Sequence, residues 1–287
     1  MKRLLYIPGL LLLLACRKDV DLKLPDYTQK IVVEASIETG LPATVYLSYS
    51  VPYFGEFNYA TPQKAFIKGA LVVVTDGFTA DTLKELQPLI GYFYQGSKLL
   101  GQEGKIYSIK ITVDGRVYET STAILYPARL DSVYFQPSGD NDSLGFMMQK
   151  FTEPPGGGDC YRWFAKRLGR DEFYAAPFNS IFDDKFIDGT TFEFGYNRGR
   201  QPDRLEGSPV DPEQGYFKRG DTVVVKFCKI GRREYEFWKT YYQNRSSNGN
   251  PFSAPANVKS MFDDYEHVFG AFVGYAPYLD TIVIPKQ

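Results

Sequence analysis

The chain is predicted to be mostly β: an N-terminal β-sandwich followed by a second, mainly β domain that carries one helix. Three observations predict this. Short runs rich in β-branched and aromatic residues recur along the chain, separated by Gly, Pro, Asn and Asp. Within residues 106–113, Tyr107, Ile109, Ile111 and Val113 alternate with Ser108, Lys110 and Thr112, the pattern of an antiparallel strand with one buried and one wet face. Asp114-Gly115 then joins that run to the next, a strong short-range hairpin signal.

The elements follow in order. A first strand is predicted over residues 30–38, turned by Thr39-Gly40-Leu41-Pro42 into a return strand over 43–50. A loop covers Val51-Pro52-Tyr53-Phe54-Gly55 and Tyr59-Ala60-Thr61-Pro62. Residues 70–75 form the next strand, ended by Asp76-Gly77, and 106–113 with 116–124 form the hairpin. Pro127 marks a boundary, giving a sandwich over 29–126 and a second domain over 127–287. In the second domain, residues 130–136, 143–151, 160–167, 190–196, 221–229 and 279–284 read as strands. Pro154-Pro155-Gly156-Gly157-Gly158 is a loop. A helix is predicted over 232–245, where Tyr235, Trp238 and Tyr242 recur at helical spacing with Phe237 and Tyr241 beside them. So wide an aromatic surface calls for packing against a sheet. Ser246-Ser247-Asn248-Gly249-Asn250-Pro251 stops the helix.

Composition narrows the function classes. Of 287 residues, 44% are hydrophobic, enough for a substantial core, and the net charge of −1 gives no steering toward nucleic acid or anionic lipid. His267 is the only histidine, and no Gly-x-Ser-x-Gly elbow, Cys-x-x-Cys pair or phosphate-cradling glycine loop is present. A lone histidine in a polar stretch reads as solvated, so no catalytic residue is assigned. Asp183-Asp184 with Asp188-Gly189 has oxygen ligands at short spacing but lacks a full calcium loop, and reads as a solvated turn. No metal site, cofactor or enzymatic activity is expected.

The N-terminus places the protein. Met1-Lys2-Arg3 precedes an apolar run too short to span a bilayer, ending in Leu13-Leu14-Ala15-Cys16. This resembles a bacterial lipoprotein signal, which implies removal of residues 1–15, lipidation of Cys16 and a tether over 16–28. Arg17-Lys18-Asp19-Val20-Asp21 is similar to the export signal of Bacteroidota surface lipoproteins, with Val20 interrupting the acids. Once Cys16 is lipidated, Cys160 and Cys228 remain, both in predicted strands and 68 positions apart. A disulfide between them would contribute roughly 3–4 kcal/mol; two separate thiols are the alternative.

Further resemblances concern fold and role. Gly69-Ala70-Leu71-Val72-Val73-Val74-Thr75-Asp76-Gly77, followed by Gly104-Lys105-Ile106-Tyr107-Ser108-Ile109, resembles a prealbumin-type or carboxypeptidase-regulatory-type sandwich. Leu22-Lys23-Leu24-Pro25, Ser50-Val51-Pro52-Tyr53-Phe54, Tyr235-Glu236-Phe237-Trp238-Lys239-Thr240-Tyr241, Asn250-Pro251-Phe252-Ser253-Ala254-Pro255 and Phe269-Gly270-Ala271-Phe272 are similar to the Bacteroidota outer-membrane lipoprotein family of domain of unknown function 4249. A glycine-rich turn is expected before Val268, where this chain has Phe262-Asp263-Asp264-Tyr265-Glu266-His267. The resemblance implies an outer-membrane, surface-facing lipoprotein that serves a TonB-dependent transporter as a non-enzymatic accessory or ligand-capture partner. A stand-alone glycan- or peptide-binding lipoprotein, or a hydrolase with an unrecognised site, are the alternatives. Loop aromatics are the candidate contacts: Tyr53, Phe54 and Tyr59 in the first domain, and Phe252, Tyr265 and Tyr275 in the second. Thr82, Ser132, Ser143, Thr222 and Thr281 each follow Asp and precede an aliphatic residue, resembling Bacteroidota O-glycosylation acceptors.

Overall fold

Alternating side chains build the first strands. In β1 (Ile31–Glu38), Ile31, Val33, Ala35 and Ile37 are buried, whereas Val32, Glu34, Ser36 and Glu38 face outward. The computed structural model describes residues 28–51, 65–87, 92–139, 141–199, 213, 215–247 and 257–286. β2 (Pro42–Tyr49) returns antiparallel to β1 through a turn with Gly40 at φ +78°. β3 (Leu71–Thr75), β4 (Ala80–Thr82), β5 (Lys84–Leu86) and β6 (Phe93–Leu100) follow, then the hairpin of β7 (Ile106–Val113) and β8 (Arg116–Ala123). Asp114 and Gly115 both have positive φ, 49° and 78°, as the tight hairpin turn requires.

The second module contains β9 (Ser132–Ser138), β10 (Asn141–Thr152), β11 (Cys160–Arg167), β12 (Ile181–Asp183), β13 (Thr191–Tyr196), β14 (Phe217–Lys218) and β15 (Thr222–Ile230). Helix α1 (Arg232–Ser247) is next, then β16 (Val268–Tyr275) and β17 (Pro277–Val283). The chain is therefore mostly β, with helix α1 where the aromatic spacing predicts it. The helix packs on β16, β12 and β11, as its aromatic surface demands.

Among the described residues, four sheets make two sandwiches. In the first, the sheet β16-β1-β2-β6-β5 faces β4-β3-β7-β8 across a core that includes Val33, Leu47, Val72, Tyr94, Tyr107 and Phe272. In the second, β12-β11-β15-β17 faces a sheet in which β10 pairs with β9, β13 and β14. Its core is aromatic: Tyr161 stacks on Phe227 at 5.3 Å, Phe151 meets both rings edge-on, and Trp163 is fully buried.

The last two strands divide between the modules. β17 completes the second sandwich by pairing with β15. β16 instead pairs in parallel with β1, from Ile31↔Val268 to Glu38↔Tyr275, and places Val268 and Phe272 in the first core. The chain thus re-enters the N-terminal sandwich long after Pro127, and this return strand joins the modules. Its partners on the outer face form a third core cluster, where Ala271, Val273 and Tyr275 meet Cys160, Cys228 and Ile230 of β11 and β15 and Tyr235, Phe237 and Tyr242 of α1.

Candidate functional site

The site grows out of that junction. Outward residues of β11 and β15 would face water in an isolated sandwich, and the sequence supplies polar groups there: Arg162 and Lys226. The return strand turns this face toward β1, whose outward row carries Glu34 and Glu38. Glu38 thereby meets Lys226 of the other module at the edge of the third core cluster, with Glu34 and Arg162 on the same facing rows.

Lys226 forms a salt bridge to Glu38. Its ammonium also lies 5.3 Å from the ring centroids of Phe164, Tyr174 and Tyr275, a three-ring surround that favours a cation. Arg162 is buried, 5% exposed, and its guanidinium sits 3.4 Å from the Trp238 ring centroid and 4.7 Å from that of Phe164. Arg162 Nη1 donates to the Tyr275 hydroxyl at 2.6 Å. Glu34 is exposed, with the bulk of the protein around its strand. Desolvation lifts its carboxyl above the usual range, against the pull of Arg162. Tyr46, directly across the β1–β2 ladder from Glu34, is raised by desolvation and by that same carboxylate.

The structure places the sequence-predicted residues unevenly. Cys16, Tyr53, Phe54, Tyr59 and Phe252 lie outside the described residues. Tyr265 is exposed on the turn before β16, where it borders a surface depression of about 780 Å³ that Arg232, Arg233 and Lys259 also line. In place of glycine, that turn is closed by backbone bonds from His267 and Val268 to the Asp264 carbonyl and is pinned by the buried ring of Phe262. Tyr275 is not a loop aromatic. It ends β16, is 7% exposed, and serves the junction as a wall and as the partner of Arg162.

Cys160 and Cys228 are free, buried thiols. The register sets Cys160 opposite Ile230 and Cys228 opposite Arg162, so the two sit diagonally, about 7–8 Å apart, beyond bridging range. Burial pushes both thiols up to about 12, which leaves them protonated and poorly nucleophilic. Asp184 is not solvated as the turn reading expected. It is buried, and its Oδ2 accepts the backbone N–H groups of Gly158 and Asp159 at 2.6 and 2.7 Å, while Asp188 accepts that of Gly156. These carboxylates hold the glycine loop in place. His267 is half-exposed and contacts Asp264 at 2.9 Å.

The five candidate acceptor hydroxyls all lie on strands, with Thr82, Ser132, Ser143 and Thr281 exposed and Thr222 half-buried. Three of the preceding aspartates have structural duties, Asp131 by accepting the Thr152 hydroxyl at 2.7 Å. Asp81 accepts the N–H groups of Ser97, Lys98 and Leu99, and Asp221 accepts that of Lys218 while pairing with Arg170. Among the described residues, no three His, Cys, Asp or Glu side chains gather as a metal would require, and no helix is long and apolar enough to cross a membrane.

Arg162, Lys226, Glu34 and Glu38 were invisible as a group in the sequence. Each reads as an ordinary outward polar position of its own strand. The only hint is that β11 and β15 carry large apolar residues on both faces, as strands covered on both sides do.

Fold and site together define a mostly β protein of two sandwiches, bound by a return strand and carrying a charged, aromatic-walled junction. The chain belongs to the family described as domain of unknown function (DUF4249), whose model matches residues 17–278. No curated protein matches it.

Proposed function

We propose that the protein is an outer-membrane lipoprotein of a Bacteroidota cell, held by Cys16 and facing outward, that captures ligand for a TonB-dependent transporter without catalysing a reaction. The observation that carries this reading is the junction. It gathers fixed charges and aromatic faces from both modules, which suits holding a ligand, and its buried thiols are protonated and so unsuited to nucleophilic attack.

The tether supports the reading. The family match starts at residue 17, directly after Cys16, and β1 starts at Ile31. Fully extended, the stretch between Cys16 and Ile31 reaches at most about 50 Å. Anchoring within that radius raises the effective concentration of lipoprotein and transporter for one another. Glycans on Thr82, Ser132, Ser143, Thr222 or Thr281 would add a solubilising surface without constituting the function.

The anchor is tested by metabolic labelling with a palmitate analogue. The wild-type chain is expected to carry label and to fractionate with the outer membrane, and Cys16→Ala to lose both. Equal labelling of the variant, or a soluble wild type, contradicts the proposal. Protease shaving of whole cells reads the face, and a protected chain would remove the outward orientation.

A further inference from the structure

Among the four charges of the junction, Lys226 and Glu38 satisfy one another, whereas Arg162 and Glu34 have no ion-pair partner among the described residues. Arg162 is the unusual one. A guanidinium carries five N–H donors in a planar fork, and this one, 5% exposed, uses a single donor, Nη1 to Tyr275. Its Nε is sealed from solvent and has no acceptor. Buried charges are normally paired, and an arginine in a protein does not escape by losing its proton.

The arginine is nevertheless held firmly. Trp238 and Phe164 fix the position of the guanidinium, and the Tyr275 hydroxyl takes one of its donors. The ordering cost of presenting this fork is therefore met before any ligand arrives. Glu34, exposed on β1, makes no hydrogen bond to the guanidinium among the described residues, so the fork is left without a carboxylate.

We propose that the junction binds a ligand carboxylate on the remaining Nη donors of Arg162. Two sources share that chemistry: an acidic sugar, with hydroxyls beside its carboxylate, and the free C-terminal end of a short peptide. The proposal rests on the reading of this protein as a capture protein, and supplies the chemical class of what it captures.

Calorimetric titration of the full mature chain in detergent tests it, with trigalacturonate and trialanine as probes. Neutral trigalactose and trialanine amide are their counterparts. One carboxylate probe is expected to bind below about 1 mM and its neutral counterpart at least tenfold more weakly, and the binding member names the source. Arg162→Lys, which keeps the charge and loses the fork, is expected to weaken binding at least tenfold. Arg162→Met is expected to abolish the preference for the carboxylate while leaving Tm equal or higher, because a thioether of similar length relieves an unpaired buried charge. The proposal is overturned if neither carboxylate probe binds, if the neutral counterparts bind as well, or if Arg162→Met keeps the preference. A lowered Tm for Arg162→Met with binding intact would make Arg162 a structural residue. These outcomes are separate from the transporter association: its failure leaves the titrations standing, and their failure leaves the anchor and partner standing.

Discussion

Replacing Asp171 with alanine is expected to cost about 3–5 kcal/mol of stability, the usual cost of stripping one partner from a buried ion pair. Asp171 and Arg167 are buried, and the carboxylate accepts the Arg167 backbone N–H at 2.9 Å, Nε at 3.0 Å and Nη2 at 2.7 Å. Arg167 also reaches Glu213 at 2.6 Å, and Arg170 bridges Glu213 and Asp221 at 2.6 and 2.7 Å. The network ties the turn after β11 to the start of β15. Loss of Asp171 leaves Arg167 inside with fewer acceptors than its fork demands. Urea unfolding checks the size of the loss, and an unchanged midpoint would mean that the pair contributes nothing.

The same network sets an acid limit. Desolvation pushes the Asp171 carboxyl up, but hydrogen bonds and charge from Arg167, with the charge of Arg198, outweigh it and hold the group below its ordinary value. Glu213 is also held low, desolvation being overcome by Arg170 and Arg167. A carboxyl with a depressed folded pKa binds protons more readily in the unfolded chain. Its contribution is therefore complete above the unfolded value of about 4 and fades as pH falls through the lower, folded value. The gap between wild type and Asp171→Ala is expected to narrow across that acid window and to stay constant above it.

Gly270→Val is expected to lower stability by about 3 kcal/mol or more, at the upper end of overpacking costs, because the clash is with backbone. A Cβ at Gly270 would lie 2.0 Å from the Val33 carbonyl oxygen and 2.7 Å from its carbon, so no side-chain rotation relieves it. β16 would have to move off β1, withdrawing Val268 and Phe272 from the first core and Tyr275 from Arg162. Gly139→Val, with nothing within 4 Å, is expected to change stability by no more than about 0.5 kcal/mol. Equal midpoints for the two variants would show that the return strand does not hold the modules together.

Much of the fold was legible because its signals are local. The alternation of β7, the Asp114-Gly115 turn and the aromatic spacing of α1 each follow from one stretch of chain, and each element is found where it reads. β16 was not legible. It is a parallel strand covered on both faces, so Val268 to Tyr275 shows no alternation and its two glycines argue against a strand. β6 was missed for a related reason: Gly96 interrupts it because a Cβ there would lie 2.7 Å from the Asp81 carboxylate, a contact from a distant part of the chain.

The site fared worse than the fold. Arg162 in Cys160-Tyr161-Arg162-Trp163-Phe164 looks like the wet face of a strand, and nothing nearby in sequence announces that another module covers it. Glu34, Arg162, Lys226 and Tyr275 come from four separate strands. Tyr275 was named among the contacts as a loop aromatic, and the fold brings it to the junction as a buried wall. The resemblance of Leu13-Leu14-Ala15-Cys16 to a lipoprotein signal, in contrast, lies in a run of adjacent residues and is read without any fold.

The most direct test of the account is native co-purification. Affinity capture of the lipidated chain from detergent-extracted outer membrane is expected to bring down a TonB-dependent transporter in near-equal amount, and Cys16→Ala to bring down far less. Recovery of the lipidated chain without a transporter, under conditions that keep other outer-membrane complexes intact, would contradict it.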